Sequence, residues 1–243
     1  MGVGYQVSAL HRIGYAEPVE SVETEKLNPS DFVGFLLRGA GISSRMGAVN
    51  LHYPSISDIK RWRSALNSKY KSQLQENISW DEDDEFSKSE DISSTSDIML
   101  MYVAAIIDKY SVSEACSLIK EGRPPYSNLE DVLTGAKYRG FGGNFPQLLL
   151  GARYWLPFKQ HLMLEDANWL GRTERYGSIF QLNEEVKEVK KFIKIADPDA
   201  TKWTSDKETP RDNILGAAWQ ASDTIFRLGS IALTRHLPLW RTS

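Results

Sequence analysis

A single cysteine, Cys116, in 243 residues excludes an intrachain disulfide and any zinc site built from several thiolates. A reducing compartment follows as the simpler setting, and the apolar neighbours of Cys116 mark it as a small buried hydrophobe rather than a nucleophile. Histidine is also scarce. His11, His52, His161 and His236 are scattered, with no HxxxH or HExxH spacing, so no metal pair is recognised and no metal is assigned. There is no GxSxG elbow for a nucleophilic serine, and the chain offers no catalytic residue by motif. Long apolar runs are missing as well: the longest, Ile98 to Ile107, is ten residues between Asp97 and Asp108. A bilayer crossing needs roughly 20, so this run reads as a buried helix and no membrane partner is expected. The start, MGVGYQVSAL, lacks a charged segment ahead of an apolar one, and Gln6 stands where a myristoylation signal wants Ser or Thr, which argues against secretion and lipid anchoring. The expected location is cytoplasmic, or within a virion.

What is present suits a globular protein. With 41% hydrophobic and 25% charged residues the composition excludes a collagen, a coiled-coil rod and a wholly disordered chain. The net charge of −3 hides an uneven distribution: Asp81 to Asp91 holds seven acids and one base, a local −6, which leaves the rest of the chain at +3.

Helix starts recur, because a Ser or Thr followed three residues later by an acid satisfies the free amides of a first turn. Ser55 with Asp58 precedes Ile59, Trp62, Leu66, Tyr70 and Leu74, the spacing of one helical face, and predicts a helix over 56–76. Ser94 with Asp97, Ser111 with Glu114 and Ser127 with Glu130 open three more, with a stop at Arg123, Pro124 and Pro125. Pro29 and Pro210 sit at first-turn positions. Residues 184–196 carry Val186, Val189 and Ile193 on one side and Glu184–Lys187 and Glu188–Lys191 pairs on the other. Strand signals hardly occur outside Tyr5 to Ile13. The sequence therefore reads as mainly α: a globular helical body, whole or split into two small lobes, with extended arms at both ends. The organisation expected is an N-terminal arm over 1–28, a helical lobe over 29–78, an acidic flexible loop or linker over 79–96, a helical main body over 97–226 and a C-terminal arm over 227–243. Trp240, beside Pro238 and Leu239, is costly to leave wet and should pack on this subunit or a neighbour.

Gly140, Gly142 and Gly143, beside Lys137 and Arg139, resemble a phosphate nest, but no Gly-Lys-Ser/Thr ending follows, and a helix-to-helix connection explains them as well. No cofactor is assigned. Adjacent carboxylates such as Glu165 and Asp166 or Asp197 and Asp199 are of a kind every soluble protein has. More informative is the interleaving of cations and aromatics from Lys137 to Tyr176. Lys137, Arg139, Arg153, Lys159, Arg172 and Arg175 offer phosphate contacts, and Tyr138, Phe141, Tyr154 and Trp155 offer flat rings for bases, the combination that holds single strands without sequence preference. The same residues at helical spacing also fill cores, with Arg stems lying over Trp. The function expected is a non-enzymatic protein that binds RNA or single-stranded nucleic acid and self-assembles through residues 1–28 and 227–243, in the manner of a nucleocapsid or coat subunit. The alternative is a cytoplasmic protein-binding module, such as an immunity or inhibitor protein, that presents the acidic 81–91 stretch to a basic partner. An enzyme whose residues meet only in three dimensions is the third.

Overall fold

The computed structural model describes residues 2–13, 15–16, 51–120, 143–203 and 213–242. Strand β1 (Gly2–Ser8) leads through a 3-10 turn at Leu10–Arg12 to two short strands, β2 (Tyr15–Ala16) and β3 (Leu51–His52), which pair only with each other. Helix α1 (Ile56–Lys69) precedes β4 (Ser87–Ser93), which passes directly into α2 (Ser94–Lys109) and then α3 (Val112–Lys120). A single-turn helix α4 (Pro146–Leu149) is followed by β5 (Tyr154–Leu156), β6 (Leu164–Ala167), β7 (Thr173–Ser178), α5 (Ile179–Ala196), a 3-10 turn at Pro198–Lys202, α6 (Ile214–Arg235) and β8 (Leu239–Thr242).

Six of these strands form one mixed sheet in the order β4-β1-β8-β5-β7-β6, antiparallel throughout except for the β5–β7 pair. The chain is therefore α/β, which overturns the mainly α expectation. The terminal arms are overturned with it: residues 2–8 and 239–242 are neighbouring interior strands, with Gly4 opposite Thr242 and Val7 opposite Leu239. The segment from residue 227 onward is first the last turns of α6 and then β8, and residues 87–93 of the acidic stretch are a strand. These strands escaped the pattern because β5 and β8 span three and four residues, too short for a period of two to register, and because β4 lies at the sheet edge. On β4 exposed Ser87, Ser89, Asp91 and Ser93 form a polar face, and the other face carries half-buried Lys88 and Glu90 with buried Ile92 as its one apolar residue, so no apolar alternation registers.

Residues directly opposite in a sheet share a face. One face carries Tyr5, Val7, Leu239 and Trp155, and it packs on α2, α5 and α6. The other carries Tyr154, Tyr176 and Leu164, and α1 closes on it: the Trp62 ring lies 5.2 Å from that of Tyr176, and the Trp62 indole N–H donates to the Ala167 carbonyl at 2.9 Å. Helix α6 is buried along most of its length between α2 and α5, as a helix apolar on nearly every side must be.

Several helix starts appear where the sequence placed them. The Ser55 hydroxyl accepts from the Asp58 amide at 3.1 Å, and Ser111 and Glu114 cap each other's amides. Helix α2 starts one residue earlier than expected, with Ser93 capping Ser96 at 2.9 Å, and Asp97 is thereby freed to turn into the core. Helix α5 begins at Ile179 rather than 184, capped by Ser178, and its Glu184–Lys187 and Glu188–Lys191 pairs form at 2.5 and 3.8 Å. Trp240 packs within its own subunit, its indole N–H on the Ser8 hydroxyl at 3.1 Å. The turn at Gly140 and the helix starts at Pro29, Ser127 and Pro210 lie outside the described residues.

Candidate functional site

Helix α6 turns one stripe outward beside the β4 edge. Asp223, Phe226, Arg227, Ser230, Ile231 and Thr234 recur every three or four residues, and with Arg235, Lys190 of α5, Phe86 and Lys88 they line an open groove of about 750 Å³. Cations lie over its rings: the Arg235 guanidinium sits 4.4 Å from the Phe86 centroid, and the Lys190 ammonium 4.9 Å from Phe226 and 4.7 Å from Trp219. Lys187 and Lys194 approach Phe226 and Trp219 from the rim at 6.0 and 5.6 Å. Ring quadrupoles favour this placement and hold the charges at the surface. Three carboxylates offset the six cations among the described residues here: Asp223 meets Lys190 at 2.6 Å, Glu90 meets Arg227 at 2.5 Å and Lys88 at 3.5 Å, and Glu184 meets Lys187. The balance stays positive. A second groove, about 580 Å³ between α1 and β6, has no such excess, because Arg61 pairs with Asp58 at 3.2 Å and Lys69 with Asp166 at 2.9 Å.

The residues singled out from the sequence take other places. Lys137 and Arg139, with Tyr138 and Phe141, lie outside the described residues. Arg153 pairs with Glu174 at 3.3 Å, Arg175 with Glu165 at 2.9 Å and Lys159 with Glu76 at 3.7 Å. Arg172 is exposed in the β6–β7 turn. Tyr154 and Trp155 are core residues, 3% exposed each, and point to opposite faces of the sheet. Trp155 stacks on Tyr5 at 6.0 Å and Tyr154 on Tyr176 at 5.7 Å, so neither ring is open to a base. Burial pushes the Tyr154 phenol up to about 12 and that of Tyr176 further still.

Three buried polar groups hold elements together. Asp97 of α2 accepts from the Tyr5 phenol at 2.7 Å and pairs with Arg241 of β8; burial raises its carboxyl despite the guanidinium. Glu185 of α5 accepts the Gln147 and Leu148 amides of α4 at 3.1 and 3.0 Å, and burial pushes it up to about 8 against those bonds. Glu82, fully buried, faces His11 at 3.5 Å and Arg63 at 3.7 Å, and burial again raises it. Asp97 joins α2 to the sheet, Glu185 joins α5 to α4, and Glu82 joins the 3-10 turn at Leu10–Arg12 to α1; none opens onto the α6 groove.

The sequence placed Arg227 and Arg235 in a C-terminal arm, and the groove was not legible as a site, because the convergence of its residues depends on β4 lying alongside α6. Comparison with known proteins finds no match to a family, a curated protein or a solved structure.

Proposed function

We propose that this protein is a non-enzymatic binder of RNA or single-stranded nucleic acid that holds its ligand in the groove between α6 and β4, in the reducing cytoplasm. The observation that carries this reading is the convergence of Lys88, Lys190, Arg227 and Arg235 on the same groove as Phe86 and Phe226. Cations there take phosphates and the rings give bases a flat surface. Segregation of charge supports it. Residues opposite each other along β1 and β4 place Asp91 and Ser89 on the sheet face away from the groove, so the nearest free carboxylate of the strand does not face a ligand. No described helix is long and apolar enough to cross a membrane.

The test is fluorescence anisotropy of a labelled single-stranded oligouridine across a salt series. For single strands log K falls by about 0.7 per phosphate contact per decade of salt. Arg235→Ala and Lys190→Ala are each expected to weaken binding and flatten that slope by about this amount. No binding at low salt, or a slope unchanged in both variants, overturns the reading.

A second reading keeps the acidic stretch as a surface for a basic protein partner, and it is favoured by the exposure of Asp81, Asp83 and Glu85 ahead of β4. Deletion of residues 81–91 would remove an edge strand and the buried Glu82. The clean discriminator is Asp81→Asn with Asp83→Asn and Glu85→Gln, which leaves oligonucleotide binding equal or tighter under the first reading and abolishes partner affinity under the second.

A further inference from the structure

Strand β4 closes one end of the six-stranded sheet, and among the described residues its strand partner is β1 alone. A seven-residue edge whose outer backbone donors and acceptors have no partner strand among the described residues is a template for another strand. Its sequence decides which strand fits. Written around Ser89, residues 86–92 read Phe, Ser, Lys, Ser, Glu, Asp, Ile. In an antiparallel pair of identical strands related by a two-fold axis through Ser89, Lys88 falls opposite Glu90 of the second copy, Phe86 opposite its Ile92, and Ser87 opposite its Asp91. These three pairs are complementary and each occurs twice, with Ser89 facing its own copy on the axis. Moving the axis to Glu90 sets two glutamates face to face and Lys88 opposite Ile92. Moving it to Lys88 opposes two lysines and puts Glu85 against Asp91. Of these three axes, which keep most of the strand paired, Ser89 is the one that opposes no like charges.

We infer that β4 is a homodimer interface in which two copies join edge to edge, antiparallel about Ser89, into one continuous twelve-stranded sheet. A two-fold contact uses the same patch on both subunits, so self-complementarity of this kind is what such an interface requires. The inference is independent of what the α6 groove holds. If both stand, the grooves of the two copies flank the joint, because Phe86 and Lys88 belong to both.

Ser89 is exposed, so changing it leaves the packing of the chain itself intact. Sedimentation over a protein concentration series, without nucleic acid, reads the outcome. Wild type is expected to dimerise. Ser89→Lys and Ser89→Glu each place like charges across the axis and raise the dimer dissociation constant about tenfold or more. An equimolar mixture of the two recovers a dimer, and Ser87→Lys, which faces the second copy's Asp91, tightens it. A monomeric wild type, a mixture that stays monomeric, or a Ser87→Lys protein weakened as much as Ser89→Lys overturns the proposal. Circular dichroism confirms the fold in each variant.

Discussion

Glu185 is a carboxylate that the fold uses as a cap while paying heavily in hydration. Its two oxygens take the first amides of α4, yet burial leaves it binding a proton up to about pH 8. In the unfolded chain the same group releases its proton near its ordinary value. Between that value and about 8 the folded state therefore holds more protons than the unfolded one, so stability falls as pH rises through this window and levels off above it. Glu185→Gln is expected to remove that slope, which thermal unfolding at a series of pH values checks. Asp97 makes a different case. Arg241→Ala leaves the buried Asp97 with only the Tyr5 phenol, and about 3 kcal/mol should be lost in urea unfolding, the low end for a broken buried pair because Arg241 is itself partly solvated. Neither role was visible in sequence: Asp97 read as a capping acid, and Glu185, beside Glu184, as one of the adjacent carboxylates that every soluble protein has. The partners that redefine them, Arg241 and the α4 amides, lie 144 and 38 residues away.

Between elements, one tight constraint is the crossing of α5 and α6 at Gly229. A methyl group there would drive into the Asn183 amide of α5. Alanine improves helix propensity by about 1 kcal/mol, but overpacking a close crossing costs about 1–3 kcal/mol. Gly229→Ala should thus destabilise the protein, and Gly229→Ala with Asn183→Ala should recover most of the loss in a double-mutant cycle. Among the described residues the Asn183 side-chain oxygen has no hydrogen-bond partner, so its removal sacrifices little. Helices were legible at this scale because their starts are local. Ser55, Ser111 and the periodic run of α5 need only residues within a turn. Strands were not, since β5 and β8 are too short to show alternation and β4 offers Ile92 as its one apolar residue. The cations and rings from Lys137 to Tyr176 read as one interleaved segment, but short-range pattern does not distinguish a solvent groove from the sheet core in which Tyr154 and Trp155 lie.

For the whole molecule, β8 is the strand on which the sheet depends. It alone connects the β4-β1 pair to the β5-β7-β6 trio. Removing residues 237–243 is expected to abolish cooperative urea unfolding and near-ultraviolet circular dichroism, not merely to dissociate an oligomer, because Leu237, Leu239 and Trp240 are core residues. Retained folding in that truncation would contradict the central place assigned to β8.

That place also fixes a timetable. A ribosome delivers the chain in order, and the four residues that join the two half-sheets come after every other described element. Until they emerge, Val7 and Trp155 stand on separate, unfinished surfaces with open backbone edges, and the contacts that unite them span nearly the full sequence. Union of the two half-sheets therefore waits on the last described strand.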